Sequence, residues 1–353
     1  MIKSNNGYDK LKSVVVGREL ELPKRIADIT FKIFYKENLG ESIYDYYEDY
    51  TIDSKILDER IEDLDNLAKT LEDLDIKVYR PEIVNKVNKI KTPNFETELS
   101  SASNVRDLTF VYQNKIIETP ILIRNRYFEN INMNKIFYSA WSPERGEQWI
   151  KSPHQWLLED TMDLEDWNNK KDFENPPKFY EMAIDAAQFM RINENECFVN
   201  ISTHSAYKGF LWIKSLFPSV TFYPLYQLID NHIDGAFVIL NEGTFLVNPK
   251  YSNLRDYLPE KFKNWNFIFS GDVNSNLTKI KHQNYAKQLA STAGMDMNVL
   301  SIDPKTVIVN EDAKDTINAL KKNNFNVIPI QFRHSELFGG SLHCSTLDLW
   351  REK

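Results

Sequence analysis

The sequence predicts a single α/β domain in which five repeated units, each a β-hairpin followed by a helix and another strand, close into a ring. Three observations predict it: a hairpin pattern that recurs along the chain, helix-then-strand segments between hairpins, and unpaired apolar runs at both ends. The 353 residues contain no Gly/Ser linker or low-complexity tract to mark a boundary, so residues 1–353 read as one domain.

Each hairpin opens on a polar residue. Asp107 precedes an apolar run that turns at Gln113 and Asn114 and resumes at Ile116 and Ile117. Asp185 opens a run that turns at residues 193–195 and resumes with Cys197, Phe198 and Val199. Asp234 opens a third, turning at residues 241–243 and resuming at Phe245, and Asn298 a fourth, turning at Asp303 and Pro304 and resuming at Val307. Apolar and β-branched runs around short Asn, Gly, Asp or Pro turns read as hairpins. Cys344 opens a fifth run, after which the chain ends; its partner is expected in residues 11–16, a pairing of the termini that closes the ring.

The intervening segments fit the same unit. Leu57, Ile61, Leu64, Leu67, Leu71 and Leu74 recur at helical spacing, with a strand expected at 76–79 before Pro81. A helix over 205–217, capped by Ser202 or Thr203, precedes a strand at 220–226, and a helix over 313–323 precedes one at 326–332. A doubly wound sheet would instead place single strands between helices, so the hairpins favour the ring.

Composition narrows the function. A hydrophobic content of 42% with 13% aromatic residues supports a sizeable core. Lys and Arg number 43 against 51 Asp and Glu, a net charge of -8, which argues against nucleic acid or an anionic membrane as partner. It suits a cationic substrate. The two cysteines, Cys197 and Cys344, form neither a disulfide framework nor a zinc-binding CxxC pair, so no metal is expected. Residues 1–7 are polar, and no run reaches the roughly 18 apolar residues of a membrane helix. A reducing cytoplasm is the expected location.

If the units are equivalent, Asp107, Asp185, Asp234, Asn298 and Cys344 converge near one axis. Singly, each reads more simply as a polar residue starting a strand. Three carboxylates and a cysteine at one position of successive units point instead to a site. Cys344 follows Gly339, Gly340, Ser341, Leu342 and His343, a turn whose glycines permit close approach, so its thiol is expected to face a pocket as a nucleophile. Cys197 lies within an apolar strand and reads as core. His232 precedes Asp234 by two residues and would share its face on a strand; the other histidines show no metal spacing.

These groups fit chemistry on a guanidinium, a planar cation and a poor electrophile. Two carboxylates can hold its nitrogens while a thiolate attacks the central carbon. His232 would protonate the departing amine and deprotonate the incoming one, with Asp185 orienting it.

The sequence resembles the arginine:glycine amidinotransferases and the related inosamine-phosphate and cyanotoxin-pathway amidinotransferases. The likeness covers nearly the whole chain: residues 11–18 (LKSVVVGR), 91–96 (KTPNFE), Arg106 and Asp107, 116–120 (IIETP), 124–129 (RNRYFE), 185–187 (DAA), 232–234 (HID), 297–300 (MNVL) and 343–348 (HCSTLD). It implies the pentein fold, a five-fold pseudosymmetric α/β propeller of ββαβ units, and transfer of the amidino group of arginine to an amine with release of ornithine. It implies Cys344 as nucleophile, His232 as general acid/base with Asp185 beside it, and Asp107 and Asp234 as guanidinium carboxylates. Asn298 opens the remaining unit of the site. Ser291 and Thr292 fall near a stretch that meets the amino-acid end of the substrate in relatives.

The departures concern substrate. Where the glycine enzymes carry an arginine for the substrate carboxylate this chain has Tyr251, with Lys250 beside it as the alternative cation. Asn231 replaces a Met and Ile229 an Asn at positions that shape acceptor binding, which leaves the acceptor amine open. Residues 141–166 match the family poorly and read as an irregular excursion or a channel wall. No cofactor is expected, and the resemblance allows a homodimer as well as a monomer. Two other readings use the same fold: a pentein hydrolase (deiminase or dihydrolase) with the same Cys, His and carboxylates, and a non-catalytic binding module, which would be expected to have lost the nucleophile or its acid/base.

Overall fold

A computed structural model of the chain describes residues 1–19, 24–25, 28–34, 50–82, 89–163, 172–271 and 295–353. In chain order the principal elements begin with β1 (Lys10–Val16), α1 (Ile29–Phe34), α2 (Ser54–Asp73), β2 (Lys77–Tyr79), β3 (Thr109–Tyr112) and β4 (Lys115–Glu118). There follow α3 (Asn134–Ala140), β5 (Gln148–Lys151), β6 (Phe189–Asn193), β7 (Glu196–Ile201), α4 (His204–Ser215) and β8 (Thr221–Tyr226). The remainder are β9 (Phe237–Asn241), β10 (Thr244–Val247), β11 (Asn266–Phe269), β12 (Leu300–Asp303), β13 (Thr306–Asn310), α5 (Lys314–Lys322), β14 (Asn326–Ile330), α6 (Ser335–Phe338) and β15 (Thr346–Glu352).

One sheet design recurs. In β3-β4-β5, β6-β7-β8, β9-β10-β11 and β12-β13-β14 the first two strands form an antiparallel hairpin and the third lies parallel to the second. The fifth sheet, β15-β1-β2, obeys the same rule with its hairpin made from the two chain ends. Val16 pairs with Thr346 and Lys10 with Glu352, as the unpaired apolar runs predicted. Parallel pairing needs a crossover, so each third strand must be preceded by a connection long enough to return across the sheet.

Those connections differ from unit to unit. Helix α2 buries Leu57, Leu64, Leu67 and Leu71, the spacing that predicted it, and starts at Asp53, whose side chain accepts from the Lys55 N–H. Leu74, read as part of that stripe, is instead the C-cap and is exposed. Helix α4 is capped by Thr203 rather than Ser202, its side chain accepting from Ala206 N–H at 3.0 Å. Between β10 and β11 the crossover consists of 3₁₀ turns at 249–251, 254–256 and 260–262, so ββαβ does not hold in that unit. The excursion read at 141–166 supplies β5, a full member of its sheet. Its period-two pattern is too short to register in sequence.

The largest apolar cluster joins neighbouring sheets. Phe198 of β7 meets Phe237 of β9 edge to face at 5.7 Å, and Phe237 meets Phe245 of β10 at 5.3 Å. Each fully buried ring of this kind contributes about 1.5–3 kcal/mol through surface removed from water. Among the described residues no helix is long and apolar enough to cross a membrane.

Candidate active site

The five opening residues lie in the loops that lead into β3, β6, β9, β12 and β15, and none is more than 4% exposed. Contacts run from one opening to the next. Ala186 N–H donates to the Asp107 carbonyl at 2.6 Å, and Arg106 N–H donates to the Cys344 carbonyl at 3.2 Å. His232 Nε2 donates to Asp185 Oδ2 at 3.0 Å. The Asn298 amide donates both to Asp234 Oδ2 at 3.2 Å and to Cys344 Sγ at 3.1 Å.

Local sequence explains how each is presented. Asp185 caps a 3₁₀ turn at 186–188 and forms a capping box with Gln188. His232 caps another such turn at 233–235, which contains Asp234. The two therefore meet the site from a turn, and the strand alternation expected for them does not apply. Gly339 ends α6 in the left-handed region at φ 65°, and a Cβ on Gly340 would fall 2.4 Å from Asn104 Oδ1. This tight corner seats Cys344 directly before β15, but 3% exposed rather than open to a pocket as expected.

The electrostatics follow from carboxylates and a thiol sharing a buried space. Burial and the charges of Asp234 and Asp107 push the Cys344 thiol well above its ordinary range, with the Asn298 hydrogen bond opposing them. Burial would also lift Asp234, yet the His343 hydrogen bond, the His343 and His232 rings (both protonated in the acid range where Asp234 titrates) and Arg106 hold it at about 2. Burial would lower His232, but Asp107, Asp185 and Asp234 together raise it to about 9. Burial raises Asp107 above its usual value against His232 and Arg126. At neutral pH the resting site thus holds a neutral thiol beside an ionised Asp234 and an imidazolium.

Among the described residues, the Asp107 carboxylate is hydrogen-bonded at one of its two oxygens. Arg126 Nη1 donates to its Oδ2 at 2.7 Å, and Arg126 also forms a two-pronged pair with buried Glu129. Asp107 Oδ1 is buried without a hydrogen-bond partner, while His232 Nδ1 stands 3.7 Å away. A buried acceptor left open in this way suits a cationic donor from a substrate. Nearby Asp348 is buried among Arg191, Arg106 and Arg351; burial alone would raise it, but these guanidiniums hold it well below the usual carboxylate range.

The remaining expected contacts are more peripheral. Asn231 donates to the Phe34 carbonyl, and the Phe34 ring meets His232 edge to face at 5.0 Å. Tyr251 packs into the apolar cluster with Leu254 and Leu258, and Lys250 Nζ lies 5.6 Å from its ring. Ser291 and Thr292 lie outside the described residues. Three site residues had no sequence-derived role: His343, Arg126 and Phe34. Arg126 stood inside the 124–129 stretch and His343 beside the nucleophile, so position alone could have flagged both; Phe34 carried no signal.

The fold and site define an α/β protein of pentein type with a buried thiol set among carboxylates and a histidine. No family profile matches the chain. Among curated proteins it is 28% identical over 368 residues to the mitochondrial glycine amidinotransferase of Xenopus laevis, covering 99% of this chain and 82% of that protein. It is 27% identical to inosamine-phosphate amidinotransferase 1 of Streptomyces griseus (99% and 97% covered) and to the L-arginine:L-lysine amidinotransferase of Pseudomonas savastanoi pv. phaseolicola (82% and 78%). Among solved structures, the Streptomyces griseus inosamine-phosphate amidinotransferase matches with a TM-score of 0.83 at 24% identity, covering 100% of this chain and 97% of that one. The dimethylarginine dimethylaminohydrolase of Pseudomonas aeruginosa matches at 0.56 and 11% identity, covering 96% and 99%, a likeness of fold. The resemblance read from the sequence is borne out: the chain is a homologue of the amidinotransferases, enzymes of the transferase class.

Proposed function

We propose that this single-domain chain moves the amidino group of arginine to an amine through a covalent intermediate on Cys344, releasing ornithine. The observation that carries the proposal is the thiol of Cys344, bonded by the Asn298 amide and 3.5 Å from Asp234, in one electrostatic cluster with Asp107 and His232. The unit-to-unit contacts and the paired termini support a closed five-unit propeller around that cluster.

The chemistry follows from the charges. A guanidinium docked on Asp107 and Asp234 offsets the two charges that keep the thiol protonated, so the thiol proton leaves to solvent as the cation enters. The thiolate attacks the guanidino carbon and an S–C bond forms. The bond from that carbon to the ornithine nitrogen breaks as His232 delivers its proton from Nδ1, the ring nitrogen not engaged by Asp185. The acceptor amine then attacks the amidino carbon, gives its proton to His232, and the C–S bond breaks to return the thiolate. Lys250 is the cation we assign to a substrate carboxylate, and we assign Asn231, Ser291 and Thr292 a part in substrate selection. A reducing compartment keeps the thiol available.

The arginine donor rests on the name of the L-arginine:L-lysine amidinotransferase relative and on the paired carboxylates. Incubation with arginine and a panel of primary amines tests the reading. Ornithine with an amidinated amine is expected. Citrulline would assign the chain to the hydrolases, and neither product would remove arginine as the donor.

A further inference from the structure

His343 directly precedes the nucleophile, and it is held through both its backbone and its ring. Its backbone N–H donates to Asn298 Oδ1 at 3.0 Å, and its carbonyl accepts from Arg106 Nε at 2.8 Å. Its Nδ1 stands 2.6 Å from Asp234 Oδ2. An ionised carboxylate only accepts, so Nδ1 carries the hydrogen. His343, Asp234 and Arg106 line one cavity, whose other walls include Arg191, Phe110, Phe189 and Met190.

Asp234 Oδ2 is approached by three donors: His343 at 2.6 Å, the Asn298 amide at 3.2 Å and the Cys344 thiol at 3.5 Å. A carboxylate oxygen offers about two good acceptor directions. His343 and Asn298 fill them, so the thiol, at a distance ordinary for a sulfur donor, competes with both for the same oxygen. We propose that His343 is a positioning residue that competes with the Cys344 thiol for Asp234 Oδ2, so that Asp234 serves the substrate cation and holds the thiol proton less tightly. The substrate half of this inference rests on the amidinotransferase reading; the thiol half does not.

Among the described residues, the charged groups around this contact include Arg191, which lines the same cavity. His343 faces Asp234, Arg106 and Asp348, and Asp234 faces His343, His232, Arg106 and Cys344. Burial and Arg106 lower His343, so the donor is a neutral ring. A neutral amide in the place of Nδ1 should therefore substitute for it, while one displaced to the place of Nε2 should not. His343→Asn supplies the first and His343→Gln the second, both polar and of similar size.

Cys344 alkylation by iodoacetamide across pH, without substrate, is the first measurement. Freed of His343, Oδ2 accepts the thiol more closely, so the alkylation curve of His343→Gln moves to higher pH while His343→Asn follows the wild type. With arginine, His343→Gln should raise KM ~10-fold or more and move the acid limb of kcat/KM upward, while His343→Asn stays within ~3-fold. Identical alkylation curves for Asn and Gln, whether both shifted or both unshifted, overturn the inference. Wild-type protein that makes no ornithine counts against the amidinotransferase reading alone, because the alkylation comparison still decides the role of His343.

Discussion

The two cysteines of this chain are equally hidden, at 0% exposed for Cys197 and 3% for Cys344, yet their surroundings have nothing in common. Cys197 sits in β7 among Phe110, Ile117, Phe189 and Val199, and its sulfur meets the Phe198 carbonyl at 3.2 Å. Burial in that apolar setting raises its thiol, and no substrate can undo it. Cys344 is raised by burial too, but also by Asp234 and Asp107, charges that an arriving cation can offset. Exposure therefore does not mark the nucleophile. What marks it is whether the cause of its silence can be reversed by ligand.

The largest expected difference between them is in turnover. Cys344→Ala should lower kcat by ~10⁴-fold or more while arginine still raises the melting temperature. Cys197→Ser should leave kcat within a few-fold, and a folded Cys197→Ser protein without turnover would collapse the comparison. Next comes the histidine that shares Asp107 and Asp234 with Cys344: His232→Gln should cost ~10²–10⁴ in kcat, read by ornithine release.

The same histidine gives this corner of the molecule a titration that the Cys197 region lacks. His232 is raised from 6.5 to about 9, so its contribution is complete below pH 6.5 and is lost as pH rises through 9. Stability should fall by ~3 kcal/mol across that window in the wild type and not in His232→Gln, measured by urea unfolding at each pH. A wild-type curve flat from pH 6.5 to 9 would mean that His232 is not paired as described. The smallest effect belongs to the core thiol, where Cys197→Ser should cost ~1–3 kcal/mol by placing a hydroxyl in an apolar cluster.

Much of this was legible in sequence because it was local or repeated. The hairpins at 107–118, 185–201, 234–247 and 298–310 announced themselves through period-two runs and turn residues, and the leftover runs at the two ends had only each other to pair with. The five opening residues were found by equivalence of position. The missing parts depend on contacts across the chain. Arg126 reaches Asp107 and Glu129, and His343 reaches Asp234 from 109 residues away, pairings that no spacing reports. The connection between β10 and β11 was open to misreading because 3₁₀ turns leave little periodicity. The burial of Cys344 was missed because glycines signal close approach without saying by what; here it is Asn104 that approaches Gly340.

Intact mass after incubation with arginine alone, for wild type and Cys344→Ala side by side, tests the central claim most directly. An amidino-sized increment on the wild type only, with ornithine released in equal amount and the increment mapping to the peptide of Cys344, is the predicted result. An increment retained in Cys344→Ala, one that maps to Cys197, or citrulline released in place of ornithine would contradict it.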